Sequence, residues 1–141
     1  MKKLILSLIT ASVLMACNQP AKTTTDQATT TTANAANAPV MKFEFESHDF
    51  GKIKQGDKTS YQFKFTNTGK SPLIITNAVA SCGCTTPDWP KTPLQPGEVG
   101  KISVVFNSAG KSGLQDKLIT ITANTNPAQN IVHLIGEVLT K

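Results

Sequence analysis

An alternation of apolar and polar residues with a period of two constrains this chain more than any other feature. In the stretch SYQFKFTN, Tyr61, Phe63 and Phe65 alternate with Gln62, Lys64 and Thr66. In KISVVFN, Ile102, Val104 and Phe106 fall on one face, and in KLITITAN, Ile119 and Ile121 alternate with threonines. In NIVHLIGEV, Val132, Leu134, Gly136 and Val138 share a face, and PLIITNAV, from Pro72, is a shorter apolar run of the same kind. This pattern, rich in β-branched and aromatic residues, describes strands with one buried face. Turn signals separate the runs: Asn67-Thr68-Gly69-Lys70, Pro96-Gly97, Gly110-Lys111-Ser112-Gly113 and Asn126-Pro127. No stretch keeps a helical period between caps. About seven short strands in roughly 100 residues predict an all-β, two-sheet sandwich, with a small barrel as the alternative.

The first 39 residues follow other rules. Lys2 and Lys3 precede an apolar run from Leu4 to Met15, and Ala16 is a small residue at a cleavage point. This is the layout of an export signal, and it is too short to span a bilayer. The sequence Leu14-Met15-Ala16-Cys17 resembles the lipobox of bacterial lipoproteins. The resemblance implies that Cys17 is acylated and becomes the mature N-terminus, so that the partner of this segment is a membrane. Asn18, rather than Asp, after that cysteine implies the outer membrane facing the periplasm. The residues from 18 to 39 are mostly Thr, Ala and Asn, without an aromatic or large aliphatic side chain. Such a segment cannot bury enough apolar surface to offset the entropy of ordering. It is expected to be a disordered tether with a mean reach of roughly 25 Å. The chain therefore divides into a signal at 1–16, a tether at 17–39 and a β-sandwich at 40–141.

Loss of Lys2 and Lys3 with the signal takes the formal charge from +5 to +3, and every basic residue is lysine. Arginine is the usual tool for bidentate contact with phosphate or guanine. An exported, mildly basic chain without it is not expected to bind nucleic acid, and the surplus lysines are read as a solvated surface.

Five segments carry a second resemblance: HDFGKIKQG from His48, FKFTNTGKSPLIITNA from Phe63, SCGCTTP from Ser81, PLQPGEVGKISVVFNSAGKSG from Pro93 and IGEV from Ile135. In order and spacing they resemble a family of bacterial exported and lipid-anchored domains of unknown function, related to the immunoglobulin-like domains of abnormal-spindle and hydin proteins. The resemblance covers nearly all of 43–138. It implies an immunoglobulin-like sandwich and supplies no activity.

Two of the three cysteines, Cys82 and Cys84, flank Gly83. In an oxidising compartment such a pair tends to close. A disulfide needs Cα atoms about 4.4–6.8 Å apart and Cβ atoms closer together than a flat strand allows, so the backbone must bend, which Gly83 does at least cost. The ring closes almost no chain and is a weak staple. Four readings stay open: a local disulfide clip, a redox-active pair, a soft-metal site for Cu(I) or Zn(II), and buried free thiols. His48 and His133 are distant in sequence and are read as packed or hydrogen-bonded residues rather than ligands, so no metal site and no cofactor is assigned. Trp89, in the proline-punctuated stretch TTPDWPKTP, is read as a loop anchor at the sandwich end, with an exposed partner contact as the sharper alternative. No nucleophile elbow, phosphate loop or marked carboxylate pair is present. The chain is expected to be no enzyme but a lipid-anchored envelope module that binds or scaffolds an unknown envelope protein or glycan. The rival reading is a thiol-redox or copper- or zinc-handling protein using the Cys82–Cys84 loop.

Overall fold

A computed structural model describes residues 37–140. The expected signal, Cys17 and most of the tether lie outside the described residues. Within them are eight strands: β1 (Met41–Phe43), β2 (Ser47–Lys54), β3 (Lys58–Asn67), β4 (Ile75–Ala80), β5 (Thr85–Asp88), β6 (Val99–Asn107), β7 (Gly113–Ala123) and β8 (Gln129–Leu139). They form two four-stranded sheets, ordered β1-β3-β6-β5 and β2-β8-β7-β4. All pairs are antiparallel except β2, which runs parallel to β8 with a bulge between Asp49 and Lys52. This is an immunoglobulin-like sandwich.

The alternating residues are the core. Phe63 and Phe65 of β3 and Ile102, Val104 and Phe106 of β6 face Ile119 and Ile121 of β7 and Val132, Leu134 and Val138 of β8, and all are buried. Each such side chain contributes at most about 1.5–3 kcal/mol of transfer free energy. Tyr61 is half-buried and stacks on His48 from β2, the ring planes lying 5° apart with centroids at 3.5 Å. Gly136 leaves room on β8 for the Phe50 ring, which occupies the place a Cβ would take and sits 5.5 Å from Phe106.

Three strands were not marked by alternation. β1 is only three residues long, β2 is interrupted by its bulge, and β5 contains Pro87. β5 lies inside residues 80–93, which the sequence presents as a loop. Its pairing is nonetheless regular, Thr85 with Phe106 through Asp88 with Ser103. The Asn107 N–H donates to the Cys84 carbonyl, so in the antiparallel ladder Cys84, Thr86 and Asp88 bond to β6 while Thr85 and Pro87 turn their backbone groups to the free edge. Proline is tolerated there because the N–H it lacks would have had no ladder partner.

Two buried polar residues tie loops to strands. Asn67 donates from Nδ2 to the carbonyls of Ser71 (2.8 Å) and Leu94 (3.0 Å), and its Oδ1 accepts the Gly69 N–H at 3.1 Å. At the other end of the sandwich, the Ser108 hydroxyl lies 2.7 Å from the Asp57 carbonyl and accepts the Gly56 N–H at 3.0 Å.

Candidate functional site

The cysteine pair stands where the chain crosses from one sheet to the other. β4 pairs with β7 as far as Ala80 opposite Ile119, and the Ser81 N–H extends the ladder by donating to the Leu118 carbonyl at 2.8 Å. The Leu118 N–H returns to the Ser81 hydroxyl at 3.2 Å, and the ladder ends there. The chain then turns, with the Thr85 N–H donating to the Cys82 carbonyl at 3.2 Å, and enters β5 in the opposite sheet. Cys82 and Cys84 are joined by a disulfide across this corner, with Cα atoms 5.3 Å apart. The backbone turns at Gly83. Its φ is not in the left-handed region, and a Cβ built on it meets nothing within 4 Å. The corner closes without a glycine-only conformation, and Gly83 instead leaves open space beside the sulfurs.

Thr85 follows directly. As an inward-facing residue of β5 it is only 4% exposed. Its hydroxyl lies 3.6 Å from Cys82 Sγ and 3.9 Å from Cys84 Sγ, and among the described residues these sulfurs are its hydrogen-bond partners. A disulfide sulfur is a weak acceptor, so this buried hydroxyl is poorly satisfied.

Lysines surround the corner. An open groove of about 430 Å³ is lined by Gly83, Cys84, Val105, Asn107, Lys58 and Lys111, among others. Cys84 packs on the core with one side and lines this groove with the other. Lys117, on the inner face of β7, lies 5.4 Å from the centroid of the Phe106 ring. Partial burial, and secondarily the positive charge of Lys111, push the Lys117 pKa below its ordinary value of 10.5, against a weaker upward pull from Asp116. Because the folded pKa is the lower one, this ammonium disfavours the native state at neutral pH. The penalty fades as pH rises through the folded value toward 10.5.

Trp89 sits beyond the other end of β5. It is half-buried against the core, and Lys91 Nζ lies 3.0 Å over its ring centroid while reaching 3.8 Å from Asp88. The structure therefore separates Trp89 from the cysteines by the length of β5 rather than gathering them into one cluster. His48 is engaged with Tyr61, and His133 Nδ1 lies 3.0 Å from Asp116 Oδ1 on the outer face of the other sheet. Among the described residues no three His, Cys, Asp or Glu side chains stand together as a metal-binding group. Sequence reasoning missed Thr85 and the three lysines. Thr85 adjoins Cys84 and was within reach of inspection; Lys58, Lys111 and Lys117 are brought together only by the fold.

A family model for proteins of unknown function, DUF1573, matches residues 41–138. The chain belongs to that family. No curated protein sequence matches it. Among solved structures, a Porphyromonas gingivalis W83 protein of unknown function has a TM-score of 0.65 at 19% identity over 75% of this chain. The chain spans 50% of that protein's length. The ASH/PapD-like domain 7 of human CEP192 has a TM-score of 0.58 at 9% identity, covering 96% of this chain and 99% of the domain. The E. coli chaperone DraB has a TM-score of 0.52 at 7% identity, covering 71% of this chain and 56% of its own. At these identities the similarity concerns the fold alone, an immunoglobulin-like β-sandwich.

Proposed function

We propose that this member of DUF1573 is a non-catalytic binding module of the bacterial cell envelope, anchored through acylated Cys17 in the outer membrane and held off the membrane by residues 18–39. The observation that carries the binding reading is the form of the β5 edge. Its free side offers carbonyls of Thr85 and Pro87, while Pro87 has no N–H and the Thr85 N–H is already bonded to Cys82. An edge without free donors resists strand addition and uncontrolled aggregation. The segment from Asp88 to Lys91 then presents side chains rather than backbone to a partner, with Asp88, Trp89 and Lys91 forming a charged and aromatic ledge. Similarity in fold to a chaperone is consistent with a binding role.

The test is photo-crosslinking in the native envelope from a probe at Asp88, with a control probe at Leu114, which is 87% exposed on the other sheet. The expected result is a membrane-bound chain acylated at Cys17 by mass spectrometry, giving a discrete adduct from position 88 that position 114 does not give. An unprocessed cytosolic chain would overturn the anchor. Identical or absent adducts from both positions would overturn the ledge.

A further inference from the structure

The corner between β4 and β5 has features that neither a clip nor a binding ledge requires. A buried hydroxyl is spent on two sulfurs, and Lys117 is held partly desolvated near a second lysine, 5.4 Å from the ring of Phe106, the residue paired with Thr85. Two more observations concern access: Gly83 places no side chain beside the pair, and Cys84 opens onto a groove walled by Lys58 and Lys111. Each of these favours a thiolate over a disulfide sulfur, because a thiolate is a charged acceptor for a hydroxyl proton and a counterion for an ammonium.

We infer that Cys82–Cys84 is a redox-active disulfide that accepts two electrons from a dithiol entering the groove lined by Lys58 and Lys111. The lysines draw in the attacking thiolate. Its sulfur forms a bond to Cys84 Sγ, the Cys82–Cys84 bond breaks, and the electron pair leaves on Cys82 Sγ. There the Thr85 hydroxyl, 3.6 Å away, donates to the new thiolate, and Lys117 on β7, beside the Phe106 ring, supplies a positive charge. The second thiol of the donor then attacks the mixed disulfide and releases Cys84. Two electrons and two protons have passed to the pair, and the donor departs as a disulfide. Two carboxylates face this region: Asp57, which accepts the Lys54 N–H at 3.0 Å, and Asp116, on the outer face with His133, whose effect on Lys117 is smaller than that of Lys111. This assignment stands apart from the binding role, since it concerns the opposite end of β5 from Trp89.

The experiment uses the full chain and dithiothreitol as the probe dithiol. It measures the rate of reduction at neutral pH, and the thiol pKa of the reduced protein by ultraviolet thiolate absorbance. The native chain is expected to be reduced about tenfold faster than the same chain unfolded in urea, with the first thiol ionising below the ordinary value of about 8.5. Thr85→Val should raise that pKa by about one unit and remove most of the rate advantage, whereas Thr85→Ser should keep both. Lys111→Gln, on the groove wall, should slow reduction about threefold and guards against a Thr85→Val chain that does not fold. Reduction no faster than in urea, an ordinary thiol pKa, or equal behaviour of the Val and Ser variants would each overturn the assignment.

Discussion

Asn67 and Thr85 are both buried polar side chains on one sheet, at opposite ends of the sandwich. Asn67 is met by backbone on every side: two carbonyls take its amide protons, and the N–H groups of Gly69 and, at 3.4 Å, Val40 meet its oxygen. It ties the entry to β1, the turn after β3 and the Leu94 segment into one unit. Among the described residues the Thr85 hydroxyl meets two sulfurs and no other partner. A polar group saturated by backbone holds structure, and its loss leaves several buried groups unpaired. A polar group matched to weak acceptors adds little to stability and is free to serve chemistry. The structural tie and the proposed redox pair thus fall at opposite ends of the β1-β3-β6-β5 sheet.

Breaking the saturated end should have the largest effect. Asn67→Ala leaves the Ser71 carbonyl and the Gly69 N–H without their partner, while the Leu94 carbonyl keeps the Leu73 N–H, and should cost about 3 kcal/mol in urea unfolding. At the disulfide end, stability should reside in packing. Gly136→Val drives the Phe50 ring off β8 and away from Phe106, and should cost about 2 kcal/mol even with the disulfide intact. The smallest effect is the one that sharpens the contrast. Thr85→Val keeps the side-chain volume and removes only a hydroxyl bound to sulfur, so the oxidised protein should change by less than about 1 kcal/mol.

Much of the sandwich is legible in the residues. The faces that alternate in β3, β6, β7 and β8 are the faces that are buried, because a strand with one side in the core must repeat every second residue. β1, β2 and β5 escape that reading for separate reasons. One is too short to show a period, one is broken by a bulge, and one is an edge strand with a proline whose ladder partner β6 decides its conformation. The adjacency of Cys82 and Cys84 is visible at once, but their surroundings are not. Lys58 comes from β3, Lys111 from the turn after β6 and Lys117 from β7, and in sequence each is one more surface lysine. The bend at Gly83 is legible, but the open space it leaves beside the sulfurs is not.

Urea unfolding of the full chain, first with the Cys82–Cys84 bond intact and then with it reduced, tests this separation most directly. The three-residue ring removes little chain entropy, so reduction should lower stability by roughly 1.5 kcal/mol or less and leave the denaturant slope unchanged. Loss of most of the stability, or of cooperative unfolding, on reduction would contradict it and make the pair a structural staple.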